Sequence, residues 1–440
     1  MMKNNMSVTV IGAGLAGAEA AWVLAQRGFS VKLYEMKPHK MSAAHSYSGF
    51  AELVCSNSFK ADNQNSAAGL LKAEMRLLGS LVLETAEKTR VNAGGALAVD
   101  RQAFSDEVTK RLENHPNIEI INEEVTDFPE NNTVICTGPL TSDAFAETIK
   151  KKCGGFLNFY DAAAPIVTLE SVNLDKTFFG NRYGKTGTDG TSVSDYLNCP
   201  FTKDEYEYFY NELINAESAP LKTFEDLTVY EGCMPVEILA KRGKDSVRYG
   251  CMKPVGFSEP KTGKRPYALV QLRPENNNHT LFNIVGFQTN LKFNEQKRVF
   301  RLIPGLENAE FMRYGVMHRN TFINSPLFLD RYFMLKGSDN IYFAGQITGT
   351  EGYTESAMGG IIAGLALAAR LRGEKPLKLP ETTITGSLTR YISDKTVTDF
   401  QPMGANMGLL PPLTIKIKDK RERYAAISER ALRDLKEVII

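Results

Sequence analysis

The chain is poor in the residues that mark several familiar classes of protein. One tryptophan, five histidines and six cysteines stand among 440 residues. The cysteines, at 55, 136, 153, 199, 233 and 251, never take the two-residue spacing of a zinc knuckle or dithiol motif. The histidines form no metal-ligand cluster, so no metal site is expected. Neither charge is in excess, with 52 Lys plus Arg against 51 Asp plus Glu. Charge alone therefore does not announce nucleic-acid binding, although a local basic patch remains open. The longest apolar run, Ile361 to Leu371, is too short to span a bilayer. No charged-then-apolar leader opens the polar stretch Met1 to Met6, which predicts no secretion. Free thiols in a reducing cytosol, hence a cytoplasmic protein, is the resulting expectation. Disorder, collagen repeats and small disulfide scaffolds are excluded by a 43% hydrophobic share over this length.

What is present begins at once. Ser7 to Ile11 reads as a strand. It feeds Gly12–Ala13–Gly14–Leu15–Ala16–Gly17, then a helix from about Leu15 to Arg27 stopped by Gly28. A second strand, Ser30 to Tyr34, ends at Glu35. Gly12 makes the turn, Gly14 lets the backbone approach a pyrophosphate, and Gly17 lets helix and strand pack closely. The helix amino terminus offers unpaired N–H groups and a positive dipole end. Glu35 stands where a carboxylate takes both hydroxyls of an adenosine ribose. A bare GxGxxG is weak, but strand, glycines, helix and acid in this order predict a dinucleotide site.

The segment resembles the FAD-binding domain of glutathione-reductase-like flavoproteins, which implies FAD and a discontinuous α/β Rossmann-type fold. Two later strands fit that resemblance. Asn132 to Cys136 ends in Thr137–Gly138, and Asn340 to Ala344 ends in Gly345–Gln346. A small-residue helix follows, whose Gly359 and Gly360 are expected to border the cofactor, and in the flavoproteins it resembles such a helix points its amino end at the flavin ring. Gln346 stands where many relatives carry aspartate. No second strand–GxGxxG–helix unit follows, so NAD(P)H is expected only as a transient visitor to the flavin.

Three further segments narrow the likeness: Phe50 to Phe59, Val229 to Glu237, and Phe343 to Ala357. They resemble the bacterial folate- and FAD-dependent tRNA (uracil-5-)-methyltransferases, over Val8 to about Leu410. The glucose-inhibited division protein A family shares the opening and flavin segments but carries a longer carboxy-terminal part. The resemblance implies methylation of carbon 5 of a tRNA uridine in the T-loop of the T-arm. Methylenetetrahydrofolate, the folate co-substrate, gives the carbon, and no protein partner is required.

Such chemistry needs two groups. A thiolate adding to carbon 6 of uracil makes carbon 5 nucleophilic, and a base must then remove the carbon 5 hydrogen. An isolated cysteine is usually a small buried hydrophobe, and Cys136, inside an apolar strand, fits that description. Cys55 and Cys233 lie in polar or proline-broken segments, and the resemblance makes both catalytic. Cys233 is expected to be the nucleophile, because its segment precedes the basic run Lys241 to Arg265, and Cys55 the base.

That run holds eight basic residues against two acids. It is either a solvated loop or a phosphate-contacting surface. A second run, Lys416 to Arg423, opens a helix expected to pack on the body. Tyr353 is expected either to stack on flavin or pterin or to lie in the core. The expected division is 1–162 and 321–440 for the flavin domain, with a mixed insertion domain, 163–320, on the RNA side. Three alternatives stay open: a ribosomal-RNA uridine as target, a flavin oxidoreductase for a small molecule, and a non-catalytic RNA-binding flavoprotein.

Overall fold

The computed structural model describes residues 7–42, 44–184, 195–220 and 234–439. Cys233, and Val229 to Gly232 before it, therefore lie outside the described residues.

Strand Ser7–Ile11 is buried on both faces, as a strand inside a parallel sheet covered on both sides is. It is the middle of a five-stranded parallel sheet. Ser30–Tyr34 and Ile118–Ile121 lie to one side, Thr133–Ile135 and Ile341–Phe343 to the other. Numbered along the chain, these strands run third, second, first, fourth, fifth across the sheet, the doubly wound order of dinucleotide-binding folds. Residues from both ends of the chain complete this one sheet.

Helix Leu15–Gln26 is buried almost all round because it lies between the sheet and the long helix Tyr353–Leu371. Its Glu19 is wholly buried and accepts from the N–H groups of Leu81 and Val82, both at 3.0 Å, so it caps the helix Leu81–Lys88. Burial pushes that carboxyl up to about 7.

The chain leaves the flavin-type half along Phe156–Ala162 and returns along Met317–Ile323, and these two strands pair antiparallel over their whole length. Between them an antiparallel six-stranded sheet uses Ile166–Thr168, Phe178–Phe179, Leu197–Phe201, Ala268–Pro274, Leu281–Ile284 and Phe311–Arg313. It has its own apolar core, centred on residues such as Phe201, Phe209, Phe282 and Phe300. A second, larger core belongs to the parallel sheet and its helices. A small sheet of Ser58–Ala61, Ala96–Val99 and Arg90–Val91 sits beside the junction.

The carboxy-terminal helix Lys420–Ile439 packs on the body. Ile427, Ala431 and Leu435 are buried, and the Ser428 hydroxyl donates to the Gln64 carbonyl at 2.7 Å. Among the described residues, no helix is long and apolar enough to cross a membrane. No group of three or more His, Cys, Asp or Glu among them is placed to hold a metal ion.

Candidate functional site

The carboxyl ends of the parallel strands open into a cleft of about 1130 Å³, counting its wide mouth. This is where doubly wound sheets bind ligands. Gly12, Ala13, Gly14, Leu15 and Ala16 form its floor, and Glu35, Thr137, Gly138, Gly345, Gln346 and Tyr353 contribute to its walls.

The glycines divide their labour. Gly12 has φ +91°, and a Cβ there would sit 2.7 Å from the Cys136 carbonyl oxygen. A Cβ on Gly17 would lie 1.7 Å from the Gly12 carbonyl oxygen, so Gly17 permits packing and does not line the cleft. In front of Gly14 nothing lies within 4 Å. That open space faces the amino end of helix Leu15–Gln26, which no side chain caps. An anion placed there meets backbone N–H groups and the positive dipole end.

Glu35 is buried. One oxygen accepts the Ala13 N–H at 2.8 Å, and the other accepts the Lys37 N–H at 3.1 Å. Each carboxylate oxygen has a second lone pair left for a ribose hydroxyl.

Gly359 and Gly360, expected to border the cofactor, sit behind the cleft. Neither lines the cleft. A Cβ on Gly360 would fall 2.0 Å from the Ala16 carbonyl oxygen, and one on Gly359 3.1 Å from the Gly345 nitrogen. Gly360 lets the long helix cross the opening helix closely, and Gly359 lets it lie against the chain at Gly345, which together set its amino end at the cleft.

Gln346 turns its amide toward Glu351, donating to Oε2 at 2.7 Å. Burial, with the charge of Asp161, pushes the Glu351 carboxyl up to about 8. Nothing in the sequence singled out this pair beyond the departure at Gln346.

Cys55 is half-buried on the loop after Phe50, and its thiol points to the Ala162 carbonyl at 3.6 Å. Its own N–H donates to the Tyr353 phenolic oxygen at 2.8 Å, and the Ser56 N–H donates to the same oxygen at 3.0 Å. Tyr353 thus joins the thiol loop to the cleft wall, with its ring edge-on to Phe59 at 5.9 Å. Sequence reasoning found Tyr353 and Cys55 separately and missed their contact. It also missed Arg101, Arg273 and Arg313, which converge on the same loop.

The other described thiols are built differently. Cys136, Cys153 and Cys199 are buried, and burial raises each above the ordinary thiol range. Burial pushes Cys251 up to about 12.

The basic run lies on the inserted half. Lys241, Arg242, Lys244, Lys253, Lys261, Lys264 and Arg265 are exposed. Arg248 instead lies over the Tyr267 ring at 3.9 Å and donates to its carbonyl.

Comparison with known proteins agrees with this geometry. The family model described as "Glucose inhibited division protein A" matches residues 7–375. The structure of Aquifex aeolicus GidA superimposes with a TM-score of 0.68 at 17% identity, covering all of this chain and 74% of that one, which shows the fold. Sequence relatives are nearer. "Methylenetetrahydrofolate--tRNA-(uracil-5-)-methyltransferase TrmFO" of Acetivibrio thermocellus is 56% identical over 434 residues, 98% of both chains. Its namesake in Halalkalibacterium halodurans is 52% identical over 433 residues, again 98% of both. Identity at this level over nearly the whole chain, and not the fold alone, decides the matter: the chain belongs to the TrmFO family of methylenetetrahydrofolate--tRNA-(uracil-5-)-methyltransferases.

Proposed function

We propose that this protein methylates carbon 5 of a uridine in the T-loop of tRNA. Methylenetetrahydrofolate gives the one-carbon unit, and NAD(P)H is the ultimate reductant. The observation that carries the reading is the Tyr353 bridge, because it ties a half-buried thiol to the wall of a dinucleotide cleft. The names of the relatives support the substrate and donor.

The residues present fit FAD. The glycine floor and the uncapped helix end would hold its pyrophosphate, and Glu35 would hold the adenosine ribose. Thr137, Gly138, Gly345 and Gln346 would border the rest. When bound, the flavin supplies the hydride that turns an exocyclic methylene into a methyl group.

The chain's own groups then do the following. The Cys233 thiolate, placed by sequence alone, adds to carbon 6 of uracil, and carbon 5 forms its bond to the one-carbon unit. Cys55 takes the proton from carbon 5 as the bond between the one-carbon unit and its donor nitrogen breaks, and the sulfur–carbon 6 bond breaks when the resulting methylene is reduced. Exposed lysines and arginines of the run 241–265 grip the phosphates of the T-arm. We divide the chain at 162/163 and 320/321, which the pairing of the outgoing and returning strands supports. A cytoplasmic location is supported by the free thiols Cys55, Cys136, Cys153, Cys199 and Cys251.

Incubating the purified protein with labelled methylenetetrahydrofolate, NADPH and a mixture of unmodified tRNA and ribosomal RNA tests this reading. Label in 5-methyluridine of the T-loop is expected. Label only in ribosomal RNA, or NADPH oxidation without RNA methylation, would replace it.

A further inference from the structure

The loop that carries Cys55 is held from outside its own half of the molecule as well as from within it. Arg313, at the end of strand Phe311–Arg313 in the inserted sheet, donates to the Val54 carbonyl at 2.5 Å. Arg273, on strand Ala268–Pro274 of the same sheet, reaches the next residues with both arms of its fork. Its Nε donates to Asn57 Oδ1 at 2.9 Å, and its Nη2 donates to Ser56 Oγ at 2.8 Å. Asn57, wholly buried, donates back to the Pro274 carbonyl at 3.0 Å. Arg101 holds the Leu53 carbonyl at 2.5 Å and is itself fixed by Glu275, with contacts of 2.7 and 3.2 Å. Val54, Ser56 and Asn57 are therefore pinned directly by the inserted sheet, and Leu53 through Glu275.

The arrangement is costly. Arg273 is 7% exposed, and Arg313 is held below the ordinary arginine value by burial and then by the charge of Arg101. Burying like charges side by side opposes folding unless it is offset, and neutral groups would hold a loop at less cost. Strand Ala268–Pro274 also follows the basic run 241–265 along the chain, so the segment that faces solvent with lysines and arginines leads into the strand that bears Arg273.

We propose that Arg273 and Arg313 are positioning residues for Cys55, through which the inserted sheet sets the thiol in register with the RNA that the same sheet's half of the molecule grips. The inference rests on the reading that Cys55 takes part in methyl transfer.

The test uses the full chain with its flavin and four variants: Arg313→Met, Arg313→Lys, Arg273→Met and Arg273→Lys. Flavin absorbance, kcat and KM for tRNA, and amide exchange at residues 53–57 are measured for each. Both methionine variants should keep flavin and KM for tRNA, lose kcat by about 10²-fold, the scale of a misplaced reacting group, and exchange faster at Cys55 and Ser56. Arg313→Lys should recover most of kcat, because the Val54 carbonyl takes one N–H. Arg273→Lys should not, because a single ammonium cannot replace a fork that reaches two side chains. Unchanged kcat or unchanged exchange in the methionine variants overturns the inference. Should a methionine variant lose its flavin, the lysine pair decides, and wild-type kcat in Arg273→Lys overturns it. Cys55→Ala separates the two layers. If that variant stays active, the reading beneath fails; if it is inactive while Arg313→Met is fully active, only the positioning role fails.

Discussion

The phenolic oxygen of Tyr353 sits 2.8 Å from the backbone nitrogen of Cys55, although 297 residues separate them in the chain. It accepts the next N–H, that of Ser56, as well. Tyr353→Phe leaves the ring in the cleft wall and strands both donors. An unsatisfied buried donor costs about 1–3 kcal/mol. Methyl transfer should fall while flavin absorbance stays, and faster amide exchange at Cys55 and Ser56 should accompany it. Unchanged exchange would mean that another group takes the two N–H donors.

Two glycines of the opening motif, Gly14 and Gly17, should fail in different ways. Gly14 has φ −72° and open space before it, so Gly14→Val folds but fills the place of a pyrophosphate. Colourless protein with a normal far-ultraviolet spectrum is expected. Gly17→Ala drives a Cβ to 1.7 Å from a backbone oxygen, and the backbone must move. Its melting temperature should drop whether or not flavin is added. Full flavin occupancy in Gly14→Val would show that the pyrophosphate lies elsewhere.

Glu351 gives a pH dependence whose sign follows from its shift. Unfolded, the carboxyl titrates near 4.5; folded, burial first and Asp161 second push it up to about 8. Between those values the folded chain binds more protons, so this group's contribution to stability falls as pH rises through the window. Glu351→Gln keeps an oxygen to accept from Gln346 and removes the titration. The variant's melting temperature should gain on that of the parent steadily from about pH 5 to about pH 8. A constant difference would show that Glu351 is ionised throughout.

The sequence exposed what repeats locally and hid what the fold assembles. Strand Ser30–Tyr34 matches its predicted bounds because five residues end cleanly at Glu35 and begin after the Gly28 turn. The discontinuous parallel sheet was legible because its glycine-ended strands each bear a local signature. The packing role of Gly359 and Gly360 was hidden for the opposite reason. A glycine that admits a ligand and one that admits a neighbouring helix look alike until the Ala16 carbonyl is in place. Arg101, Arg273 and Arg313 were invisible, since each lies in an ordinary strand or helix and only the fold brings them to the Cys55 loop, the last two with the inserted sheet. Glu19 was hidden likewise, read as one letter of a helix when it caps another.

The exposed basic run makes a claim about salt. Lys264 and Arg265 lie on the surface next to strand Ala268–Pro274. If both meet phosphates, the double variant Lys264→Glu, Arg265→Glu should weaken tRNA binding. The slope of log affinity against log salt should flatten by roughly two, about one per lost contact. Reduction of the flavin by NADPH, which needs no RNA, should keep its rate. A parent-like salt slope would move the RNA surface off this run.

The final prediction concerns which thiol bonds to the base. Cys55 lies on a loop pinned on both sides, by Tyr353 from the cleft wall and by Arg313 and Arg273 from the inserted sheet. A rigid group beside the flavin end suits a base, which must meet one hydrogen at a fixed point. The nucleophile must follow the uridine as the RNA docks, and Cys233 belongs to the segment leading into the basic run. Cys55→Ala and Cys233→Ala should each abolish methylation, whereas Cys136→Ala should cost about 1 kcal/mol of stability and no chemistry. A T-loop RNA carrying 5-fluorouridine should stall after addition, because fluorine does not leave as a proton does. Mass spectrometry of the trapped complex should place the RNA on the peptide containing Cys233, and the Cys55→Ala protein should still form it. An adduct on Cys55 would exchange the two roles, and an adduct on neither, where tRNA is methylated, would remove covalent activation from the mechanism.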